Sequence, residues 1–207
     1  MGTIVFVCTG NAARSVMAGA MFRRSAPGWT VITAGTHVIE GQPMSWRTKE
    51  AMSRLGFAAD GHRSHQVSDA DLAAADLVVA FEIWHVDHLR RTHPASAGHT
   101  ATLRRWVRDL PSGPIPLAGR IQALELGTCE LEAWEDVDDP AGGDVEVAAA
   151  CAKEVLELIT TLAEILTSGS SPPSSGDDRL LGDPDGSDPT AIRPEPAEGP
   201  PGLKRSF

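Results

Sequence analysis

The run Ile4-Val5-Phe6-Val7 leads straight into Cys8-Thr9-Gly10-Asn11-Ala12-Ala13, and this into Arg14-Ser15-Val16-Met17-Ala18. An unbroken apolar run of β-branched and aromatic side chains predicts a strand covered on both faces, the position of a central strand in a parallel sheet. Val16, Met17, Ala20 and Met21 recur at helical spacing, so a helix is expected to begin near Arg14. Thr9, Gly10 and Asn11 stand between, and Gly and Asn take a positive φ at least cost. Such a loop turns successive backbone N–H groups toward one point, and the helix adds the positive end of its dipole. The product is a receptor for an anion, built only from local sequence.

Cys8 is expected at the floor of that receptor, among amides, dipole and Arg14, surroundings in which a cysteine acts as a nucleophilic thiolate. Arg14 offers a planar fork for two oxygens of a tetrahedral oxyanion, and its charge can meet the negative charge that develops during transfer. Ser15 places a hydroxyl where it can donate to the sulfur. The expected phosphate-binding residues are therefore Thr9, Gly10, Asn11, Ala12, Ala13, Arg14 and Ser15.

Further along, Trp29 to Ala34 reads as a second strand closed by Gly35-Thr36, and Ser45 as the cap of a helix from Trp46 to Leu55 that stops at Gly56. His62-Arg63-Ser64-His65-Gln66 reads as a solvated polar connection. Ser68 opens a short helical turn, Asp76 to Phe81 is a third strand, and Glu82 to Arg91 a helix with Ile83, Val86 and Leu89 inward. His85, His88 and His93 are expected to be exposed. Ala101 to Val107 reads as a fourth strand interrupted by two arginines, and it is expected at the edge of the sheet. Residues 109–132 read as an insertion with a helical patch from Leu117 to Leu126. An acidic loop, Trp134 to Asp144, precedes a last helix of about Val145 to Leu166 with Val147, Cys151, Val155, Leu158, Leu162 and Ile165 along one stripe. Strands alternating with helices imply a parallel sheet with right-handed crossovers and a ligand site at the carboxyl ends of its strands.

Beyond Thr167 the chain turns Ser-, Pro-, Gly- and Asp-rich. Residues 168–207 are expected to form a disordered tail behind a folded domain of residues 1–167. Three cysteines, Cys8, Cys129 and Cys151, show no metal-binding spacing, and their odd number suits a reducing cytoplasm better than a disulfide framework. No metal or cofactor is expected. A net charge of −10 argues against a nucleic-acid surface, and no apolar run is long enough to cross a membrane.

Cys8, five residues, then Arg14-Ser15 resembles the P-loop of protein tyrosine phosphatases, and its place at the start of the chain resembles the low-molecular-weight family of these enzymes. Ala34-Gly35-Thr36 resembles that family's short signature after its second strand. Asp139-Pro140, just before the last helix, resembles the pair that carries its general acid. The resemblance covers about residues 3–166. It implies a three-layer αβα fold with a four-stranded parallel sheet in the order 2-1-3-4, and hydrolysis of aryl phosphate monoesters, protein phosphotyrosine above all, through a phosphocysteine. Cys8, Arg14 and Asp139 are its implied catalytic residues.

The chain also departs from the pattern. Ala13 stands where many members have a second cysteine, and Ala141 and Ile39 stand where aromatic residues often flank the substrate ring. Thiol-dependent arsenate reductases share the fold and loop, so arsenate reduction with an external thiol is the rival expectation. A non-catalytic phosphate-binding module is the third.

Overall fold

The computed structural model describes residues 2–168. Its centre is β1 (Thr3–Cys8), hydrogen-bonded in parallel to β2 (Thr30–Gly35) on one side and β3 (Leu77–Ala80) on the other, with β4 (Thr100–Thr102) outside β3. The order is β2-β1-β3-β4, as expected. Alternation along β1 sends Ile4, Phe6 and Cys8 to one face and Val5 and Val7 to the other, all buried, which accounts for the unbroken apolar run.

The first face is covered by α1 (Arg14–Ser25), α5 (Leu103–Asp109) and α7 (Val145–Thr167), with α2 (Trp46–Arg54) against α7. The other face is covered by α3 (Asp69–Ala73) and α4 (Ile83–Thr92) through Leu72 and Leu89. This is the three-layer αβα arrangement. No helix among the described residues is long and apolar enough to cross a membrane. The tail reading falls, from residue 169 onward, outside the described residues.

Two expectations need correction. Only Ala101 and Thr102 of the fourth-strand reading are in β4, and Leu103 already begins α5. The Thr102 side chain accepts the Arg105 N–H and so caps the helix, while Leu103, Trp106 and Leu110 recur at helical spacing and are buried. The two arginines read as interrupting a strand lie on that helix. The stripe of α7 is also displaced. Ala148, Cys151, Ala152, Val155, Ile159, Leu162, Ala163 and Leu166 are buried, whereas Val147 is exposed. Large side chains suggested the wrong edge of the stripe because alanines let α7 approach α1 and α2 closely.

The 109–132 segment holds α6 (Leu117–Gln122) and a turn at Glu125, whose φ is 49°. It is tied to α4 and α5 by arginines: Arg90 donates to the Cys129 carbonyl at 3.0 Å and Arg105 to the Glu130 carbonyl at 2.8 Å. Arg105 also grips Glu135, which is 0% exposed. Its Nε donates to Glu135 Oε2 at 2.8 Å, as does the Thr102 hydroxyl, and the Glu132 N–H donates to Oε1 at 2.9 Å.

Burial by itself would raise the Glu135 carboxyl, but the bonds from Arg105, the Glu132 N–H and Thr102 outweigh it and hold the group below its ordinary value. A carboxyl lowered on folding stabilises the fold above its unfolded pKa, near ~4.3, and loses that contribution as the pH falls through the folded value. Glu135→Gln leaves the Arg105 charge without its buried partner. It is expected to cost about 3 kcal/mol at neutral pH, or roughly 6–12 °C in melting temperature, with the gap to wild type closing below about pH 4 in thermal melts.

Candidate active site

The parallel register sets Cys8 beside Gly35 and Val7 beside Ala80, so the carboxyl ends of β1, β2 and β3 meet at one edge of the sheet. The loop from Thr9 to Ala13 rises there. Its left-handed residue is Asn11, with φ 49°, whereas Gly10 does not adopt a positive φ, contrary to expectation. Asn11 is suited to that conformation and also fixes it through its side chain. Its Oδ1 accepts the His65 N–H at 2.9 Å, so its Nδ2 faces Ser15 Oγ and donates to it at 2.9 Å. Because that oxygen is already an acceptor, the Ser15 hydroxyl proton is free to point to Cys8 Sγ, 3.1 Å away.

The consecutive backbone N–H groups from Gly10 through Val16 donate to no other group among the described residues, and Ala13, the residue before α1, makes no side-chain cap. A run of unpaired amides at a helix start is a set of donors waiting for an anion. Cys8 is 3% exposed beside them. The Ala12 carbonyl is turned away from this run, accepting the Ser45 N–H at 3.2 Å and the Thr48 hydroxyl at 3.0 Å from the start of α2.

Gly35 is required by close approach. A Cβ there would lie 2.5 Å from the Thr9 carbonyl oxygen and 2.9 Å from the Asn11 nitrogen. The backbone cannot yield without moving the loop, so Gly35→Ala is expected to lower phosphate affinity about tenfold or more by displacing the amides, with a loss of about 1–3 kcal/mol in stability. Phosphate titration and melting of the variant would check both.

Arg14 is 1% exposed, and its guanidinium is fixed from three sides: Nη1 donates to the Val137 carbonyl at 2.8 Å and lies 3.1 Å from Glu82 Oε2, and Nη2 lies 3.0 Å from Asp139 Oδ2. The acid loop thus closes over the anion loop, although 123 residues separate Arg14 from Val137. Asp139 is partly exposed and its Oδ1 accepts the Ala141 N–H at 3.1 Å. Asp136 has a different place, accepting the Ile83 N–H at 2.7 Å and so tying the acid loop to the start of α4. The Cys151 thiol on α7 lies 3.7 Å from the Asp138 carbonyl, where burial pushes it up to about 12.

The polar connection 62–66 is not simply solvated. His62 Nε2 and the Ser64 hydroxyl both donate to the Asn11 carbonyl, at 2.7 and 3.0 Å, and Ser64 is buried. Burial holds His62 below its ordinary value. This segment locks the left-handed residue of the anion loop and was missed because polar residues without periodicity carry no local sign of burial.

His85 is likewise 0% exposed, not at the surface, and Ile83, read as inward, is only half-buried. His85 Nε2 lies 3.1 Å from Thr9 Oγ1 and its Nδ1 accepts the Glu82 N–H at 3.1 Å at the start of α4.

The family described as low molecular weight phosphotyrosine protein phosphatase matches residues 3–115. A protein of Ralstonia nicotianae named probable low molecular weight protein-tyrosine-phosphatase EpsP is 31% identical over 134 residues, 64% of this chain and 92% of that protein. The solved YwlE arginine phosphatase from Geobacillus stearothermophilus is similar with a TM-score of 0.65 and 32% identity, over 81% of this chain and 94% of that one. A low molecular weight protein tyrosine phosphatase from T. tengcongensis superposes with a TM-score of 0.64 and 30% identity, over 79% of this chain and 99% of that one.

Proposed function

Because the chain belongs to the low molecular weight phosphotyrosine protein phosphatase family, a family of cysteine-dependent hydrolases, we propose that Cys8, Arg14 and Asp139 carry out its phosphatase reaction, on aryl phosphate monoesters and protein phosphotyrosine above all. The observation that carries this reading is the run of unpaired amides from Gly10 to Val16 around Cys8.

The Cys8 sulfur attacks phosphorus and displaces the aryl oxygen, while the amides and the Arg14 fork hold the other phosphoryl oxygens and the charge that builds on them. Asp139 in its acid form gives its proton to the departing oxygen. Its carboxylate then takes a proton from water, which attacks the phosphocysteine and returns phosphate and the free thiolate. The Ser15 hydroxyl assists that departure by donating to the sulfur. Cys8 must stay reduced, which supports a cytoplasmic location.

The aromatic flanks absent at Ala141 and Ile39 have a counterpart. The partly exposed Trp84 donates its indole N–H at 2.9 Å to Glu82 Oε2, the oxygen that meets Arg14, so an aromatic ring stands one carboxylate away from the anion site. Protein phosphoarginine is the second reading, favoured by the arginine phosphatase relative. Glu82 and Asp139 beside Arg14 support it, since they would suit a cationic leaving group. The relatives reported above are all named as phosphatases, so arsenate reduction and simple phosphate binding are set aside.

Initial rates on para-nitrophenyl phosphate, a phosphotyrosine peptide and a phosphoarginine peptide test the proposal. Turnover of the first two with a high KM is expected. Release of phosphate from the phosphoarginine peptide alone would overturn it in favour of the second reading.

A further inference from the structure

The anion loop has a second kind of donor whose direction is set from α4. His85 Nδ1 receives the Glu82 backbone N–H at 3.1 Å. A backbone N–H can only donate, so Nδ1 is the unprotonated nitrogen of the ring. The neutral ring then carries its proton on Nε2, and Nε2 donates to Thr9 Oγ1 at 3.1 Å. A charged ring would set a second N–H against that of Glu82. Complete burial, with Arg14, His88 and His37 adding to it, holds His85 down at about 3, so the neutral form is the working one.

With its oxygen occupied as an acceptor, the Thr9 hydroxyl has one proton left, and no other group among the described residues receives it. Thr9 is half-buried directly after Cys8, its own carbonyl turned away to the His37 N–H at 2.9 Å. On the phosphatase reading of the site, we infer that the Thr9 side chain is an additional hydrogen-bond donor to the phosphoryl group held at Cys8, and that His85 is the positioning residue that keeps this hydroxyl from acting as an acceptor.

The consequence is a loop that presents donors: amides, guanidinium and a hydroxyl that already accepts one hydrogen bond, from His85, and whose proton is left for the anion. An acceptor facing a dianion would repel it, so fixing the direction of one hydroxyl adds affinity and removes a penalty.

The test uses the full chain and inorganic phosphate as the probe, by calorimetry, with para-nitrophenyl phosphate turnover beside it. Thr9→Val, which keeps shape and removes the hydroxyl, is expected to weaken phosphate binding about tenfold to a hundredfold, and Thr9→Ser to stay within about threefold of wild type. His85→Gln can accept from Glu82 and donate to Thr9 with one amide, and is expected to bind phosphate nearly as wild type. His85→Leu should fall toward the Thr9→Val value and add little to it in the double variant. Long-range proton–nitrogen NMR of wild type should show His85 protonated on Nε2 alone.

Phosphate affinity unchanged in Thr9→Val, equal losses in the Val and Ser variants, or a proton on Nδ1 would each overturn the inference, and none of these requires the His85 variants to fold. A wild-type chain that binds phosphate in this Thr9-dependent way but hydrolyses no ester would overturn the reading of the reaction and leave the donor assignment intact.

Discussion

Cys8→Ser is expected to lower turnover of an aryl phosphate by roughly four orders of magnitude or more, the scale of losing a nucleophile, while phosphate binding stays within about a few-fold of wild type. The separation follows from where the two properties reside. On the proposed reading, binding belongs to the amides from Gly10 to Val16, to Arg14 and to the Thr9 hydroxyl, none of which the substitution removes. On the same reading the covalent step belongs to the sulfur, since among the described residues a serine hydroxyl in that place would have no neighbouring base of the kind that activates serine nucleophiles. Among the described residues its only side-chain hydrogen-bond partner is the Ser15 hydroxyl, whose oxygen already accepts from Asn11. Single-turnover kinetics with phosphate calorimetry on the same sample would check both halves. Turnover near wild type would remove Cys8 from the mechanism, and loss of both properties would show that the sulfur shapes the loop.

Asp139→Asn is expected to slow hydrolysis by about a hundredfold to ten-thousandfold for phenyl phosphate, the range of general-acid effects, and far less for an ester with an activated leaving group, because a stable phenolate departs without a proton. The side chain keeps its size and its contact with the Ala141 N–H but has no proton to give. The Asp139 carboxylate lies against Arg14 at 3.0 Å, so on the proposed reading a dianion would compete for the same guanidinium and leave the acid to face the departing oxygen. A series of aryl phosphates of graded leaving ability should therefore show a steeper dependence in the variant. Asp136→Asn is the contrast. Its carboxylate holds the Ile83 N–H, a bond that Asn keeps through its Oδ1, so rates and their leaving-group dependence should stay close to wild type for all esters. If the leaving-group dependence steepens in Asp136→Asn and stays flat in Asp139→Asn, the acid is the other residue.

What the sequence determined by itself was the part built from neighbours in the chain. The strand, anion loop and helix from Thr3 to Ser25 are contiguous, the left-handed turn between them falls on Asn11, and the apolar run of β1 records burial on both faces. Asp139-Pro140 was marked by its resemblance to the family's pair, a few residues before Asp144, which caps the long last helix. Only the tertiary structure decided what surrounds them. Asn11 is held by residues 51 to 54 positions away, Thr9 by His85, and Arg14 by Glu82, Val137 and Asp139. Val137 and His65 contribute backbone groups and the others polar side chains, all on loops or at the start of α4, where hydrophobic period says nothing, and they meet because the parallel register gathers the carboxyl ends of β1, β2 and β3 at one edge. A polar side chain is buried only when it finds hydrogen-bond partners, and here the partners come from distant segments, so no local pattern could have marked it.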